Sequence, residues 1–318
     1  MIGSLGGPSL LAQLSENSGV VRQQLAAVLE QQSTGKVSDT YAGLGSAVRA
    51  GVDLRPALRH SEVFQANIDT ANSRLDVTQT VLKRIGAIAA DFYAQTNTIN
   101  DINGTGATNL AANAKSALQQ VAQLLNTRDG NTYVFAGQNP DTAPLPSTDP
   151  AVVGAAVLAS DTAVAPFATL GTAVPQVEVG DGQTVAAGLL ANRNTLATSE
   201  APTTGSFMRD LLRGLATLST LTPATATLAV GADTRARLGS VVKALATETG
   251  ALGTVQADLA ARKETLASTQ IALARQVSNV EDVDLAATLT RISSLQTQLQ
   301  ASYQVIAGVK SLSLANFI

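Results

Sequence analysis

The sequence predicts a mainly α-helical protein: a long antiparallel helical bundle or coiled coil built from both chain ends, with a small β-rich insert in the middle. Three observations predict it. Apolar residues recur at three- and four-residue spacing near both ends of the 318-residue chain. A leucine falls on every seventh residue through much of the C-terminal third. Seven of the ten prolines lie between residues 130 and 204, where they break any long helix.

Composition supports this class and narrows the function. Hydrophobic residues make up 45%, aromatics 3% and charged residues 14%, against roughly a quarter charged in an average soluble domain. The apolar material is therefore Ala, Leu and Val, suited to long smooth helices more than to a bulky core that forms pockets. Twenty-one basic against 24 acidic residues give a net charge of −3, which excludes nucleic-acid binding by general positive charge. The longest apolar run, Ala151 to Ala159, is about half of what a membrane span needs, so no membrane partner is expected. The opening MIGSLGGPSLLAQ has no basic n-region or long h-region, and no Sec signal peptide is expected. The absence of Cys removes disulfides, thiolate zinc sites and Cys nucleophiles. With one His and no Trp besides, the inventory leans away from an enzyme and from any cofactor.

The first helix carries Leu11, Leu14, Ser18, Val21, Leu25 and Val28 on one stripe, with Ser9 after Pro8 as a plausible N-cap. A Gly-rich break runs from Ser33 to Gly51. A second stripe follows from Phe64 through Ile68, Leu75, Leu82, Ile85 and Phe92 to Ile99. A third helix is expected over Thr108 to Asn126, with Leu110, Leu118, Val121 and Leu125 on one side. Asp129-Gly130 then signals a turn before the strand-like Thr132 to Phe135. Val177 to Val179 and Thr184 to Leu190 read as a hairpin about Gly180-Asp181-Gly182.

Helix resumes at Ser206 with Phe207, Leu211, Leu215 and Leu218, and Thr222-Pro223 reads as an N-cap and first-turn proline. Then comes the bundle ridge: Leu238, Leu245, Leu252, Leu259, Leu266, Leu273 and finally Val280, each seven residues from the last. The partner positions are poorer, Lys263 and Gln270 among them, so this is a single ridge. Gly239, Gly250 and Gly253 each cost about 1 kcal/mol inside a helix, which leaves tertiary packing to hold it. After Glu281-Asp282-Val283-Asp284 the register restarts with Leu285, Ile292, Leu299 and Ile306, joined by Leu295 and Val309.

A helix with one apolar stripe is marginal alone. Burying each Leu or Ile contributes roughly 1.5–3 kcal/mol, available only against a partner surface. The two one-sided ends are therefore expected to pair with each other and then to require neighbouring subunits. The expected assembly interface is Leu11, Leu14, Val21, Leu25, Val28, Leu285, Ile292, Leu295, Leu299 and Ile306.

Several segments carry a resemblance. Ser33-Thr34-Gly35-Lys36, with Asp39 and Ala42-Gly43 after it, resembles the N-terminal Ser-Gly-Lys … Asp-Asp … Ala-Gly segment of the bacterial flagellin family. Val280-Glu281-Asp282-Val283-Asp284 resembles the family's Ile-Glu-Asp-Val-Asp, which precedes its C-terminal core helix. Leu295 to Tyr303 and the tail Leu312-Ser313-Leu314 are similar to family C-termini. The resemblance covers roughly 1–135 and 206–318. The loop after the first helix is several residues shorter than in typical members, and the opening lacks the usual Ile-Asn-Thr-Asn. Gly130 to Gly137, followed by Pro140 and Pro144, resembles the Gly-x-Tyr-Leu-Phe-Ala-Gly stretch of the family's hook-associated members.

The resemblance implies a structural axial subunit of the bacterial flagellum, extracellular, exported unfolded through the flagellar type III channel without a cleaved signal peptide. It favours the hook–filament junction subunit. Filament flagellin is the alternative, and a secreted coiled-coil adhesin a more remote one. Implied partners are copies of itself, other axial proteins (hook-associated protein and flagellin) and an export chaperone binding the C-terminal helix. The implied division is a terminal inner-core domain (1–32 plus 285–318), a helical bundle domain (33–135 plus 205–284) and a small β-rich variable domain (136–204). Gly35, Lys36, Asp39, Glu281, Asp282 and Asp284 form the link between the first two.

Sharper chemistry fails on the residues themselves. Glu281, Asp282 and Asp284 as metal ligands give way to capping and macrodipole groups on a helix-entry turn. His60 beside Glu62 lacks a nucleophile and an orienting carboxylate in a suitable setting. Gly43-Leu44-Gly45-Ser46-Ala47-Val48 places Val48 where a dinucleotide fingerprint needs its third glycine, and no strand precedes it. Asn103-Gly104-Thr105 is a chance glycosylation match. No catalytic, cofactor or metal residue is expected. Limited proteolysis of the dilute monomer should remove residues 1–32 and 285–318 first. Resistant ends, followed by mass spectrometry of the fragments, would contradict assembly-dependent packing.

Overall fold

The computed structural model describes residues 7–101, 104–159, 166–168, 170, 173–193 and 203–315. Seven α-helices dominate these residues: α1 (Gly7–Thr34), α2 (Val48–Gln95), α3 (Gly104–Leu125), α4 (Pro150–Ala159), α5 (Phe207–Ser219), α6 (Leu228–Glu281) and α7 (Leu285–Ala315). Four short strands complete them: β1 (Arg128–Asp129), β2 (Thr132–Tyr133), β3 (Gln176–Gly180) and β4 (Gln183–Ala186). The chain forms two compact units, Met1–Ser61 with Ser268–Ile318, and Glu62–Ala267.

In the first unit α1 packs on α7. Val21, Val28, Ile292 and Leu295 are buried in the seam, with Leu25 and Leu299 beside them. Lys36, just past α1, pairs with Asp282, just before α7, so the two helices run antiparallel. Helix already runs at Gly7, which corrects the expected start: Ser9 lies inside α1 and is not its N-cap. Pro8 is tolerated there because first-turn N–H groups have no intrahelical acceptor in any case.

The second unit holds the main core. Along α2, Ile68, Leu75, Leu82 and Ala89 form one buried row and Ala71, Thr78, Ile85 and Phe92 another, the two faces of a heptad pattern. Helix α5 packs on α3 and on α4, and Leu118, Phe135, Leu145, Phe207, Leu211 and Leu215 are fully buried in the cluster. On α6, Leu238, Leu245, Leu252 and Leu259 are buried in this core and Leu266 packs against it half-buried. Leu273 is half-buried within the first unit.

The middle segment adds a helix to the expected strands. Arg128 pairs with Tyr133 and Asp129 with Thr132 across Gly130, and Gln176 to Gly180 pairs with Gln183 to Ala186. Between these hairpins the apolar run from Ala151 winds into α4. Asp149 caps it by accepting from the Ala151 N–H at 2.8 Å, and Pro150 sits at the first helical position. A capped run of Ala, Val and Leu with three buried residues on one side follows the helical period.

A second boundary is corrected. Thr222 and Pro223 do not open α6, which begins at Leu228. The Thr222 carbonyl accepts from both Thr225 and Ala226 N–H at 3.0 Å, closing an isolated turn. The cap is Thr227, whose hydroxyl accepts from Val230 N–H at 3.4 Å and whose carbonyl accepts from Gly231 N–H at 3.0 Å.

Leu118→Ala should lower the unfolding free energy by about 2–5 kcal/mol, measured by urea titration. Leu285→Ala, at a position 52% exposed, should stay within about 0.5 kcal/mol of the parent.

Candidate assembly site

The site is the paired chain ends and the link that closes them, all within the first unit. Helix α1 ends because Gly35 adopts φ +71°, a left-handed conformation that side chains other than glycine's rarely tolerate. Its N–H still reaches the Gln31 carbonyl at 2.9 Å. The chain then turns beside the incoming end of α6. The N–H of Val37 donates to the Glu281 carbonyl at 2.7 Å, and that of Val283 to the Gly35 carbonyl at 3.0 Å. These two bonds flank the Lys36–Asp282 pair as one rung of an antiparallel ladder. The Gln31 side-chain amide secures the turn by donating to the Val37 carbonyl at 2.9 Å.

Each of the three carboxylates has a separate task. Arg55 grips Glu281 with both arms: Nε donates to Oε1 at 2.6 Å and Nη2 to Oε2 at 2.5 Å. The Glu281 side chain is 9% exposed and that of Arg55 43%. The Arg55 hydrogen bonds hold the Glu281 carboxyl below its ordinary range, and the Lys36 charge adds to this against burial and Asp282. Asp282 accepts from the Ser278 hydroxyl at 2.5 Å. Asp284 caps α7, its Oδ1 accepting from Ala286 and Ala287 N–H at 2.9 and 3.1 Å. The three carboxylates do not converge, and among the described residues no group of three His, Cys, Asp or Glu could hold a metal ion.

Gly35, Lys36, Glu281 and Asp282 are thus brought together. Asp39 lines a recess of about 40 Å³ with Ser38, Thr40, Leu44, Arg55 and Glu281. Arg55 was invisible to sequence reasoning, because it meets Glu281 across 226 positions with no motif to couple them.

The expected interface stripe divides in three. Val21, Val28, Ile292 and Leu295 face one another within the chain. Leu14, Leu25, Leu299 and Ile306 are half-buried, and Leu285 is exposed. The Leu11 side chain lies outside the described residues. Further apolar residues of the pair are exposed: Val20, Leu29, Leu289, Tyr303 and Val305. Reading one stripe per helix finds the intrachain seam and passes over the exposed apolar residues outside it.

Residues 236–318 match the family described as the bacterial flagellin C-terminal helical region. Flagellar hook-associated protein 3 of Escherichia coli (strain K12) is 25% identical over 299 residues, spanning 90% of each chain. A flagellar hook-associated protein structure from Vibrio parahaemolyticus aligns with TM-score 0.58 at 12% identity, covering 76% of this chain and 99% of that one. The Bacillus cereus FlgL structure aligns with TM-score 0.54 at 14% identity, covering 71% of this chain and all of that one. These structures share the fold.

A carboxyl whose folded-state pKa is depressed stabilises above its unfolded pKa, about 4.3 for Glu, and that stability is lost as pH falls through the lower folded value. Thermal melts should therefore show Glu281→Gln less stable than the parent at pH 7. The difference should shrink steadily below about pH 4. A constant difference across that range would contradict the ion pair's contribution.

Proposed function

We propose that this chain, whose residues 236–318 match the bacterial flagellin C-terminal helical region, is a structural axial subunit of the bacterial flagellum that stands at the hook–filament junction. The observation that carries the reading is the set of exposed apolar residues on the paired ends. Among the described residues, four apolar side chains of α1 and α7 are buried in their own seam. Val20, Leu29, Leu289, Tyr303 and Val305 remain open to solvent. Apolar residues along both members of a helix pair suit further helices, so the neighbours are copies of this chain and other axial proteins. Residues 1–32 with 285–318 form the part that assembles, 33–135 with 205–284 the bundle, and 136–204 the variable part. The work is packing; no reaction is required of it.

The likeness to hook-associated protein 3 over nine-tenths of both chains supports the junction over the filament. In this reading the chain reaches the outside of the cell through the flagellar export channel. A chaperone covers the apolar sides of α7 until delivery.

Counting copies per isolated flagellum by quantitative mass spectrometry tests the junction. A junction ring holds a fixed number whatever the filament length; a count that scales with length would assign the chain to the filament. Leu289→Asp tests the surface itself. It should leave the monomer's melt within about 0.5 kcal/mol of the parent, because the position is exposed. Incorporation should be lost through burial of a charge among neighbours. A variant that still incorporates would remove Leu289 from the interface.

A further inference from the structure

The second unit poses a problem of register. Helices α2 and α6 run antiparallel there: Gln79 Nε2 donates to Gln256 Oε1 at 2.5 Å, and further along Lys263 Nζ reaches Asp69 Oδ1 at 2.5 Å. Both helices repeat every seven residues. If α6 slid by one repeat, Leu245 to Leu273 would occupy the places of Leu238 to Leu266, and the ridge would be unchanged. The surface ion pair does not resist either. Acidic residues stand at Glu62, Asp69 and Asp76 on α2, so Lys263 finds a carboxylate in the native register and after a slip in either direction. Exposed pairs of this kind contribute little in any case.

Close packing discriminates weakly. Leu238 lies so near Gly214 that a Cβ there would stand 2.9 Å from its Cδ2, but Leu245 would fill the same notch. Gly239 lies against Tyr93, where a Cβ would meet the ring at 3.0 Å; Ala246 in that place needs only a small shift of the ring.

A buried ion pair of α6 within the second unit has no copy a heptad away. Asp210, fully buried in the first turn of α5, accepts from Thr204 N–H and hydroxyl at 2.8 Å each, from the Thr203 hydroxyl at 3.0 Å, and from Arg237 Nη1 of α6 at 3.3 Å. The Arg237 side chain is itself buried. The slip that preserves the ridge would set Ala244 opposite Asp210 and leave a buried carboxylate without its cation, the costliest kind of mismatch. We infer that the Asp210–Arg237 pair is the register pin of α6, fixing which of several equivalent heptad alignments the helix adopts in the second unit. A single buried polar contact setting register in a repetitive apolar seam is the best-attested use of such groups.

The chain has no native cysteine, so introduced pairs report register without interference. In the full-length protein, Gln79→Cys is combined with Gln256→Cys for the native register or with Lys263→Cys for the slipped one. Each pair is treated with a short bismaleimide. With the pin intact, only the pair at positions 79 and 256 should couple, and Arg55→Ala should leave that pattern unchanged. In D210N/R237M, which removes both charges while keeping size, coupling of the slipped pair should rise at least tenfold. Coupling confined to the native pair, or slippage produced by Arg55→Ala alone, would overturn the assignment. Should D210N/R237M lose its cooperative melt, R237A/A244R decides the point by moving the arginine one heptad along. Dominant coupling at position 263 supports the pin, and coupling only at position 256 refutes it.

Discussion

A helix whose apolar residues spread beyond one face cannot bury them all against a single partner. That constraint governs the paired ends. Helix α7 turns Ile292 and Leu295 toward Val21 and Val28 of α1, and this is as much as one chain can do for it. Leu285 and Leu289 lie at 52% exposure on the same helix, with Tyr303 and Val305 further along. An ordinary globular protein would fold a third element over such a surface. In the second unit, by contrast, α5 packs on both α3 and α4.

The link solves a different problem, that of holding two marginal helices at one angle. Backbone bonds from Val37 and Val283 set the spacing of the two crossing strands. The Gly35 conformation lets α1 stop in time for them. The Arg55–Glu281 pair then ties that crossing to the start of α2. Because the guanidinium is partly in water and the carboxylate largely out of it, the pair is best regarded as a positioning contact whose hydrogen bonds matter more than its charge.

The helical architecture was legible in the sequence because the apolar period is strict where packing is one-sided. The ridge from Leu238 to Leu259 and the rows of α2 lie buried where the spacing placed them. Asp284 caps α7 as a carboxylate before a helix should. Three things escape that reading. The α4 segment was read only as an apolar run, although Asp149-Pro150 carries the cap-and-proline start signal the chain uses there. The true start of α6 was hidden by Thr222-Pro223, a chemically valid start signal that the chain uses for a single closed turn. Arg55 and Arg237 are cations in helices otherwise read for their leucines; only the fold reveals which carboxylate each one meets. Heptad reasoning identifies what is repeated, and these are the residues that are not.

Tying position 36 to position 282 also orders events in time. A chain synthesised from its N-terminus has its first helix in hand long before its last. Until residue 283 emerges, the Gly35 carbonyl has no N–H to receive, and α1 has nothing to lean on. Closing so long a loop is the slow, entropically dear kind of contact. The terminal pair is thus the final piece of the fold to settle.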